Sequence, residues 1–466
     1  MRMMFLRQPA LPFALVAGAI AFAFVVIPSE LLNESDTYWH IKAGEWMLKQ
    51  GEILRTDPFS STMNGKAWHT QEWLAEILMA ASYRFGWESI HLIFGICVAS
   101  AAAITAFFIR QRVDLFLATL TTTLGLACTT GSLLARPHLF TLPLLALWTM
   151  GLVKAREVGR APPLYMCLIM PLWANLHGSF VFGLGLAGLI AAEAFIENYK
   201  SVRDWAIFII LASALCLLTP FGLEGVLFPF KLMTITNLKF IVEWQPSDFS
   251  EVSPFALSLL ALIGLLGLGK VAIPVPRLLI VLLLIWMALN HARHQMIFGL
   301  VVPLLITPAM AQVLPAQFSE AMRHHGLKLF ALAIAFLSMI TVRLALPIER
   351  TDNFASPMTA LSHISDEMRG QNVLNDFAYG GYLIWIGIKP SIDSRSDLYN
   401  GERMETYLAM VNSDQQALDH IIQQYDMRWA IFPTSSPVIK MLDQMKGWSR
   451  YYEDDQNVIH IRKDKP

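Results

Sequence analysis

The sequence predicts a polytopic α-helical membrane protein that ends in a small soluble α/β domain. Hydrophobic residues make up 55% of the 466 residues, and charged residues only 15%. Apolar runs near bilayer length recur from residue 10 to residue 347, which a single soluble core would not require. Beyond residue 347 these runs stop, so a separate domain is expected at 348–466. The formal net charge of −1 argues against nucleic acid as a partner.

Hydropathy divides the transmembrane domain, residues 1–347, into about eleven spans. They are expected at 10–28, 91–109, 115–132, 138–154, 162–175, 178–196, 204–219, 253–269, 278–290, 295–314 and 327–347. One side of the protein carries the basic loop residues Arg2, Arg7, Arg110, Arg112, Lys154, Arg156, Arg160, Lys200, Arg203, Lys270, Arg277, Arg323 and Lys328. The positive-inside rule places this side and the N-terminus in the cytoplasm. After an odd number of spans, the C-terminal domain is expected outside.

The first outer loop, residues 29–90, has the pattern of two helices that lie at the membrane interface. Apolar residues recur at helical spacing from Trp39 to Leu48 and again from Gln71 to Phe85. Between them, Asp57 and Pro58 predict a turn, because a residue before proline is pushed out of helical geometry.

Two carboxylates, Glu34 and Asp36, open this loop just past the first span. They could accept a proton or share a divalent cation such as Mg²⁺ or Mn²⁺. Asp36 could instead cap the helix that follows, because Ser-Asp before an amphipathic helix is also a capping signature. Asp57 could likewise be a turn residue that bonds local amides rather than a substrate ligand.

Further charged and imidazole side chains fall at the outer ends of spans or in outer loops. Such groups are costly near the hydrocarbon boundary unless they meet partners or water, so their collection at one level predicts a shared cavity. Arg136 and Arg293 are suited to bind a phosphate, although Arg136 could also fix a helix end. His291 and His294 share a helix face, which allows metal ligation as well as phosphate contact or packing. The residues expected to bind substrate are His40, Asp57, Glu72, Arg136, His138, His177, Glu243, His291, Arg293 and His294.

The C-terminal domain has strand-like segments at 372–375, 391–393, 428–432 and 458–461, and helical segments at 355–369, 401–425 and 437–446. Gly380 and Gly381 predict a tight turn or a close backbone approach. The charge-dense loop 393–397 either docks this domain on the transmembrane mouth or contacts an acceptor.

Several motifs together resemble the bacterial membrane proteins related to the GT-C glycosyltransferases. They are the Glu-x-Asp pair after the first span, the Asp-Pro-Phe-Ser turn at 57–60, Ala-Arg-Pro-His at 135–138, Trp-Ala-Asn-Leu-His-Gly at 173–178, Gly-Gly-Tyr-Leu at 380–383 and the segment 392–399. The resemblance implies an enzyme of the cytoplasmic (inner) membrane that uses a polyprenyl-phosphate-linked sugar donor. It also implies that an acid of the first outer loop, here Asp36 with Glu34 beside it, is the base or a metal ligand.

The expected function is therefore sugar transfer at the outer face to a glycan, lipid or protein acceptor, as in cell-envelope polysaccharide biosynthesis. A lipid-linked glycan polymerase or ligase is an alternative, in which Arg136, Arg293 and the histidines would bind pyrophosphate. A lipid or glycan transporter is disfavoured, because a transporter should carry polar groups across mid-membrane and on both faces.

Overall fold

The computed structural model describes residues 10–28, 30–197, 201–234, 242–313, 325–346, 348–399 and 401–463. The helices up to residue 345 are α1 (Ala10–Val26), α2 (Asp36–Gln50), α3 (Trp73–Tyr83), α4 (Trp87–Arg110), α5 (Leu115–Ala127), α6 (Leu142–Glu157), α7 (Ile169–Leu176), α8 (Phe180–Glu197), α9 (Val202–Leu215), α10 (Leu223–Met233), α11 (Pro254–Gly267), α12 (Val275–Asn290), α13 (Gln295–Val313) and α14 (His325–Ala345). Each apolar run predicted as a span contains one of these helices. Four basic residues used to predict the orientation, Arg2, Arg7, Lys200 and Arg323, lie outside the described residues. So does part of the loop 220–252, which joins the predicted spans 204–219 and 253–269.

Four helical stretches of the described chain are long and apolar enough to cross a membrane by length and composition. These are Trp87–Arg110, Leu115–Ser132, Pro137–Glu157 and Ala292–Val313. Shorter apolar helices of 10–17 residues accompany them, among them Ala10–Val26 and Val275–Asn290. The protein is thus a helical protein of membrane-protein character.

Small residues allow the apolar helices to approach each other closely. Gly125 of α5 and Gly299 of α13 face each other, so that a Cβ atom on either one would overlap the backbone oxygen of the other. A close crossing of this kind stabilises helix pairs in an apolar environment through van der Waals contact.

The two helices predicted in the first outer loop are present as α2 and α3. They pack tightly, because Gly44 of α2 lies directly against the backbone oxygen of Glu76 in α3.

The C-terminal region contains a four-stranded sheet with the strand order β1-β2-β4-β3. Its strands are β1 (Val373–Asn375), β2 (Trp429–Pro433), β3 (Trp448–Glu453) and β4 (Asn457–Arg462). The pair β1 and β2 is parallel, whereas β2 with β4 and β3 with β4 are antiparallel. The remaining helices are α15 (Met358–Ser362), α16 (Asp366–Arg369), α17 (Gly380–Trp385), α18 (Glu402–Val411), α19 (Gln415–Gln424) and α20 (Pro437–Gln444).

Four details of the C-terminal region differ from the sequence-based expectation. The helix predicted at 355–369 is divided into α15 and α16, because Ser365 caps a new helix there. The strand predicted at 391–393 is absent from the sheet, and only Pro390 forms a single bridge with Val373. The helix predicted at 401–425 is interrupted, because Ser413 adopts a positive φ of 75° and Asp414 then caps α19. The strand β3 was not predicted, because most of its residues are polar and only Trp448 is buried.

The first outer loop and the C-terminal region share one hydrophobic core. Trp39, Ala43 and Trp68 pack in the same cluster of buried residues as Leu374 and Tyr399. In addition, Gly381 of α17 lies directly against the backbone of Ser35. The segment that carries Glu34 and Asp36 therefore lies between the apolar helices, which Leu31 and Leu32 contact, and the C-terminal region.

Candidate functional site

Arg136 lies at the centre of a cluster of carboxylates. Its backbone is extended, with φ −123° and ψ 159°, just before Pro137 begins the 3-10 turn Pro137–Thr141. The preceding residue is tied to the start of the first outer loop, since the Thr37 hydroxyl donates to the Ala135 carbonyl at 3.0 Å. Proline at the first position and this contact together aim the Arg136 side chain at Glu34 and Asp36.

Three carboxylates surround the Arg136 guanidinium. Nε donates to Glu34 Oε2 at 2.7 Å and lies 3.1 Å from Asp36 Oδ2, and Nη1 donates to Glu243 Oε2 at 3.1 Å. Burial opposes the charge of Arg136, but the neighbouring carboxylates, Asp36 first, raise its pKa well above the ordinary value. Burial also raises the pKa of Glu34 to about 7, against the opposing effect of Arg136.

The carboxylate of Asp36 is occupied on both oxygens. Oδ1 accepts a hydrogen bond from Trp39 Nε1 at 3.2 Å, while Oδ2 faces Arg136. The indole N–H of Trp39 also donates to Ser394 Oγ at 3.0 Å, so the C-terminal region takes part in holding Asp36. Asp36 does not cap α2, because it is the first residue of that helix. The backbone N–H of Thr37 bonds instead to Glu34 Oε1 at 2.7 Å.

A second arginine, Arg293, approaches the same cluster from the start of the span Ala292–Val313. Its Nη1 lies 3.6 Å from Glu243 Oε1, and its guanidinium carbon is 4.4 Å from the centre of the Trp244 ring. Glu243 therefore links both arginines. Burial opposes the charge of Glu243, but Arg136 and Arg293 lower its pKa below the ordinary value.

The two histidines beside Arg293 have backbone partners. His291 Nδ1 donates to the Trp244 carbonyl at 2.7 Å, and His294 Nδ1 donates to the Met287 carbonyl at 3.2 Å. Their ring centres are 5.4 Å apart. These bonds leave Nε2 of each ring as the atom available to a ligand.

A row of acids and histidines runs from α3 toward the end of α7. His40 Nδ1 lies 3.2 Å from Glu76 Oε1, and His40 Nε2 lies 3.8 Å from Glu72 Oε2. On the other side, Glu72 Oε1 is 3.2 Å from His177 Nε2. His138, at the entrance of α6, has its ring centre 6.1 Å from that of His177 and donates from Nε2 to the Ser132 carbonyl at 2.8 Å.

Burial strongly shifts the pKa values of the acids and histidines in this row. It raises the pKa of Glu72 to about 8, with the Asp36 charge adding to the effect, and raises the pKa of Glu76 well above its ordinary value. It lowers the pKa of His40 and of His177 well below the ordinary value, and neighbouring cations and histidines add to this. At neutral pH the row therefore holds neutral imidazoles and carboxyl groups that retain a proton readily.

Asp57 occupies a different setting from the Arg136 cluster. Its carboxylate accepts from the Phe59 and Ser60 amides and is 2.7 Å from Nη1 of Arg395, with both side chains fully enclosed. Arg395 also binds Asp393 through Nε at 2.8 Å and Nη2 at 2.6 Å. The contacts of Asp57 are thus those of a turn residue locked to the C-terminal region, which is the alternative to substrate binding considered for it above.

The described residues contain no group of three or more His, Cys, Asp or Glu side chains placed to hold a metal ion. At Glu34 and Asp36, the pair for which Mg²⁺ or Mn²⁺ was considered, Arg136 supplies the positive charge. Among the residues that the structure describes, no acidic side chain lies within ion-pair distance of His291 or His294, and the Nδ1 atoms of both rings are bonded to carbonyls.

The structure thus brings together most of the residues predicted for the site, and it adds several that were not predicted. Glu34, Asp36, Arg136, Glu243 and Arg293 form one cluster, and His40, Glu72, His177 and His138 form the adjoining row. Glu76 was missed, although its position four residues after Glu72 puts it on the same helix face. Trp39, Ser394 and Arg395 were also missed as positioning groups, although the charge-dense loop 393–397 had drawn attention to that segment.

A scan against protein-family models and a search of curated proteins gave no match to this chain.

Proposed function

We propose that this chain is a membrane glycosyltransferase of the GT-C type. It would move a sugar from a polyprenyl-phosphate donor to an acceptor at the outer face of the bacterial cytoplasmic membrane. The observation that carries the proposal is the convergence of acids from the first outer loop with Arg136 and Arg293, each of which stands at the start of an apolar helical stretch. Sugar transfer from a phosphate needs both a proton acceptor and cationic groups for the departing phosphate.

The proposed membrane arrangement has eleven spans, a cytoplasmic N-terminus and an extracytoplasmic C-terminal domain. In favour of it, candidate site residues lie at the N-terminal ends of two apolar helical stretches, Pro137–Glu157 and Ala292–Val313. Basic residues such as Arg110 and Lys154 lie at the opposite ends. Polar groups and basic loops are thus separated by the length of a span, as the positive-inside rule expects.

Arg293 is the better candidate of the two arginines for the donor phosphate. Arg136 is surrounded by three carboxylates, whereas Arg293 makes one long ion pair, 3.6 Å to Glu243, within the described chain. Its side chain is 29% exposed, so a phosphate oxygen can reach its remaining donors. A guanidinium can hold a phosphate by two parallel hydrogen bonds, and Nε2 of His291 or His294 could add a third contact.

Two carboxylates of the first outer loop are candidates for the proton acceptor. Asp36 is the candidate that the sequence favours, and Glu72 is the candidate that the contacts favour. Glu34 is almost fully buried and bonded to Thr37 and Arg136, which suits it to orient Arg136 rather than to meet a substrate.

The experiment uses the full chain in lipid nanodiscs with undecaprenyl phosphate as the probe, followed by a panel of labelled polyprenyl-phosphate and polyprenyl-pyrophosphate sugars. Arg293→Gln should weaken binding of the probe tenfold or more and slow release of polyprenyl phosphate from the active donor. The matched control is Arg112→Gln, because Arg112 pairs with Glu157 at the other end of the spans. Equal binding by Arg293→Gln and wild type, or no turnover of any donor, would remove the proposal. Turnover only of pyrophosphate-linked donors would favour the polymerase or ligase alternative.

A further inference from the structure

We infer that Glu72, which lies beside the imidazoles of His177 and His40, accepts the proton of the acceptor hydroxyl in the proposed transfer, rather than Asp36. This inference rests on the proposed function and names the residue that carries its proton transfer.

The first argument concerns the partners that occupy Asp36 and Glu34. Asp36 receives an indole N–H on one oxygen and faces Arg136 with the other, and Glu34 is bonded to Arg136 and Thr37. A carboxylate paired with a guanidinium is stabilised in its ionised form and is a correspondingly weak base. Asp36 is therefore arranged to hold Arg136, not to take up a proton. Burial raises the pKa of Glu34 to about 7, but Glu34 is almost fully buried and both of its oxygens are bonded, so an acceptor cannot reach it.

The partners of Glu72 are of a different kind. Within the described chain, its carboxylate meets only imidazoles at ion-pair distance, His177 at 3.2 Å and His40 at 3.8 Å. Its side chain remains 24% exposed, so an acceptor can reach it. A neutral imidazole does not pair with a carboxylate as a guanidinium does, which preserves the basicity of Glu72.

The tautomer of His177 follows from its other contact. His177 Nδ1 accepts the backbone N–H of Ser179 at 3.1 Å, so the ring proton is on Nε2 and points at Glu72. On the other side, His40 Nδ1 lies 3.2 Å from Glu76 Oε1, and His40 Nε2 lies 3.8 Å from Glu72 Oε2, which is beyond hydrogen-bond distance. Glu76 has one buried oxygen without a hydrogen-bond partner, as expected of a carboxyl group that is not ionised.

The charged and titratable groups around Glu72 come from every neighbouring element. They are Asp36 and His40 of α2, Glu76 of its own helix, His177 after α7, Arg136 and Arg293 at the span entrances, and Asp397 of the C-terminal loop. Burial and the two acids raise the pKa of Glu72 to about 8, against the effect of the two arginines. A base is most effective when its pKa lies near the working pH.

We take a pocket lined by Asp397 as the site of the acceptor. It has a volume of about 70 Å³ and includes Trp68, His69 and Lys231 in its wall. Asp397 is also one of the acids that raise the pKa of Glu72. Aromatic faces together with an acid and an ammonium group suit a hydroxyl-rich acceptor such as a sugar.

The step balances without a further reactant. The acceptor oxygen forms a bond to the anomeric carbon of the donor sugar as the bond from that carbon to the phosphate oxygen breaks. The electron pair of the broken bond leaves on the phosphate, which Arg293 binds. The hydroxyl proton moves to Glu72.

The test follows polyprenyl-phosphate release by nanodisc-embedded protein between pH 6 and pH 10. Glu72→Gln should slow release about 100-fold or more and should abolish its rise with pH, because an amide cannot take up a proton. Asp36→Asn should slow release but keep that rise, and Glu45→Gln should match wild type, since Glu45 pairs only with Lys42 on the outer face of α2. A Glu72→Gln variant that keeps the rise with pH would overturn the inference.

A second measurement separates this inference from the proposed function. Infrared difference spectra of the same protein should contain a carboxyl C=O band that is lost near pH 8 in wild type and is missing in Glu72→Gln. If no donor is turned over but the band behaves in this way, Glu72 is confirmed as a proton acceptor although the transferase proposal fails. A band that persists unchanged in Glu72→Gln overturns the inference, whatever the donors do.

Discussion

Nη1 of Arg395 lies 2.7 Å from Oδ1 of Asp57, across 338 residues of sequence, and neither side chain is exposed to solvent. The same guanidinium binds Asp393 and stacks 4.5 Å from the centre of the Trp68 ring. This one side chain therefore joins the first outer loop to the C-terminal region. It also stabilises the arrangement in which Trp39, bonded to Ser394, holds Asp36.

Arg395→Gln should destabilise the protein by about 3–5 kcal/mol, because it leaves the buried carboxylates of Asp57 and Asp393 without their cation. The unfolding temperature of the detergent-solubilised protein measures this loss. Arg450→Gln is the matched control, since Arg450 pairs with Asp443 and Glu453 on an exposed surface, where the loss of an ion pair changes the stability much less. Equal losses in the two variants would show that the buried pair does not fasten the two regions.

Gly381→Ala should also be destabilising, by about 1–3 kcal/mol, because its Cβ would overlap the backbone oxygen of Ser35. The same measurement applies, together with the rate at which a protease cleaves the first outer loop. Gly370→Ala provides the comparison, because the atom nearest to its new Cβ is 3.7 Å away. If both variants unfold like wild type, the close approach of α17 to the Glu34–Asp36 segment is not needed for stability.

The buried carboxyl group of Glu76 predicts a pH dependence of stability. Its pKa is raised well above the ordinary 4.5, so the folded protein holds a proton that the unfolded chain has lost. The stability linked to this proton is complete below pH 4.5 and decreases as the pH rises toward the folded pKa. His40 and His177, with lowered pKa values, act in the opposite sense and reduce stability only as the pH falls below 6.5.

Glu76→Gln removes the first of these effects and keeps the side-chain volume. Thermal unfolding from pH 5 to pH 9 should therefore show wild type losing stability relative to Glu76→Gln as the pH rises. Glu45→Gln should run parallel to wild type over this range. A constant difference between wild type and Glu76→Gln would mean that Glu76 is ionised in the folded protein.

Much of the architecture could be predicted from periodicity, because helical spacing and apolar run length act locally. The helices α2 and α3 are examples. Arg136 and Arg293 both pair with Glu243, and the sequence placed each of them just before an apolar run. The partner of Asp57 could not be predicted, because nothing near residue 57 indicates that a loop more than three hundred residues later encloses it. The interruption at Ser413 was equally hidden, since a positive φ there has neither glycine nor proline to mark it.

The ion pair between Asp57 and Arg395 can form only late in biosynthesis, because its two residues are far apart in the sequence. At ribosomal speeds of about 5–20 residues per second, Asp57 is made roughly 20–70 s before Arg395. Throughout that interval the nascent first outer loop has an unpaired acid and uncovered tryptophans.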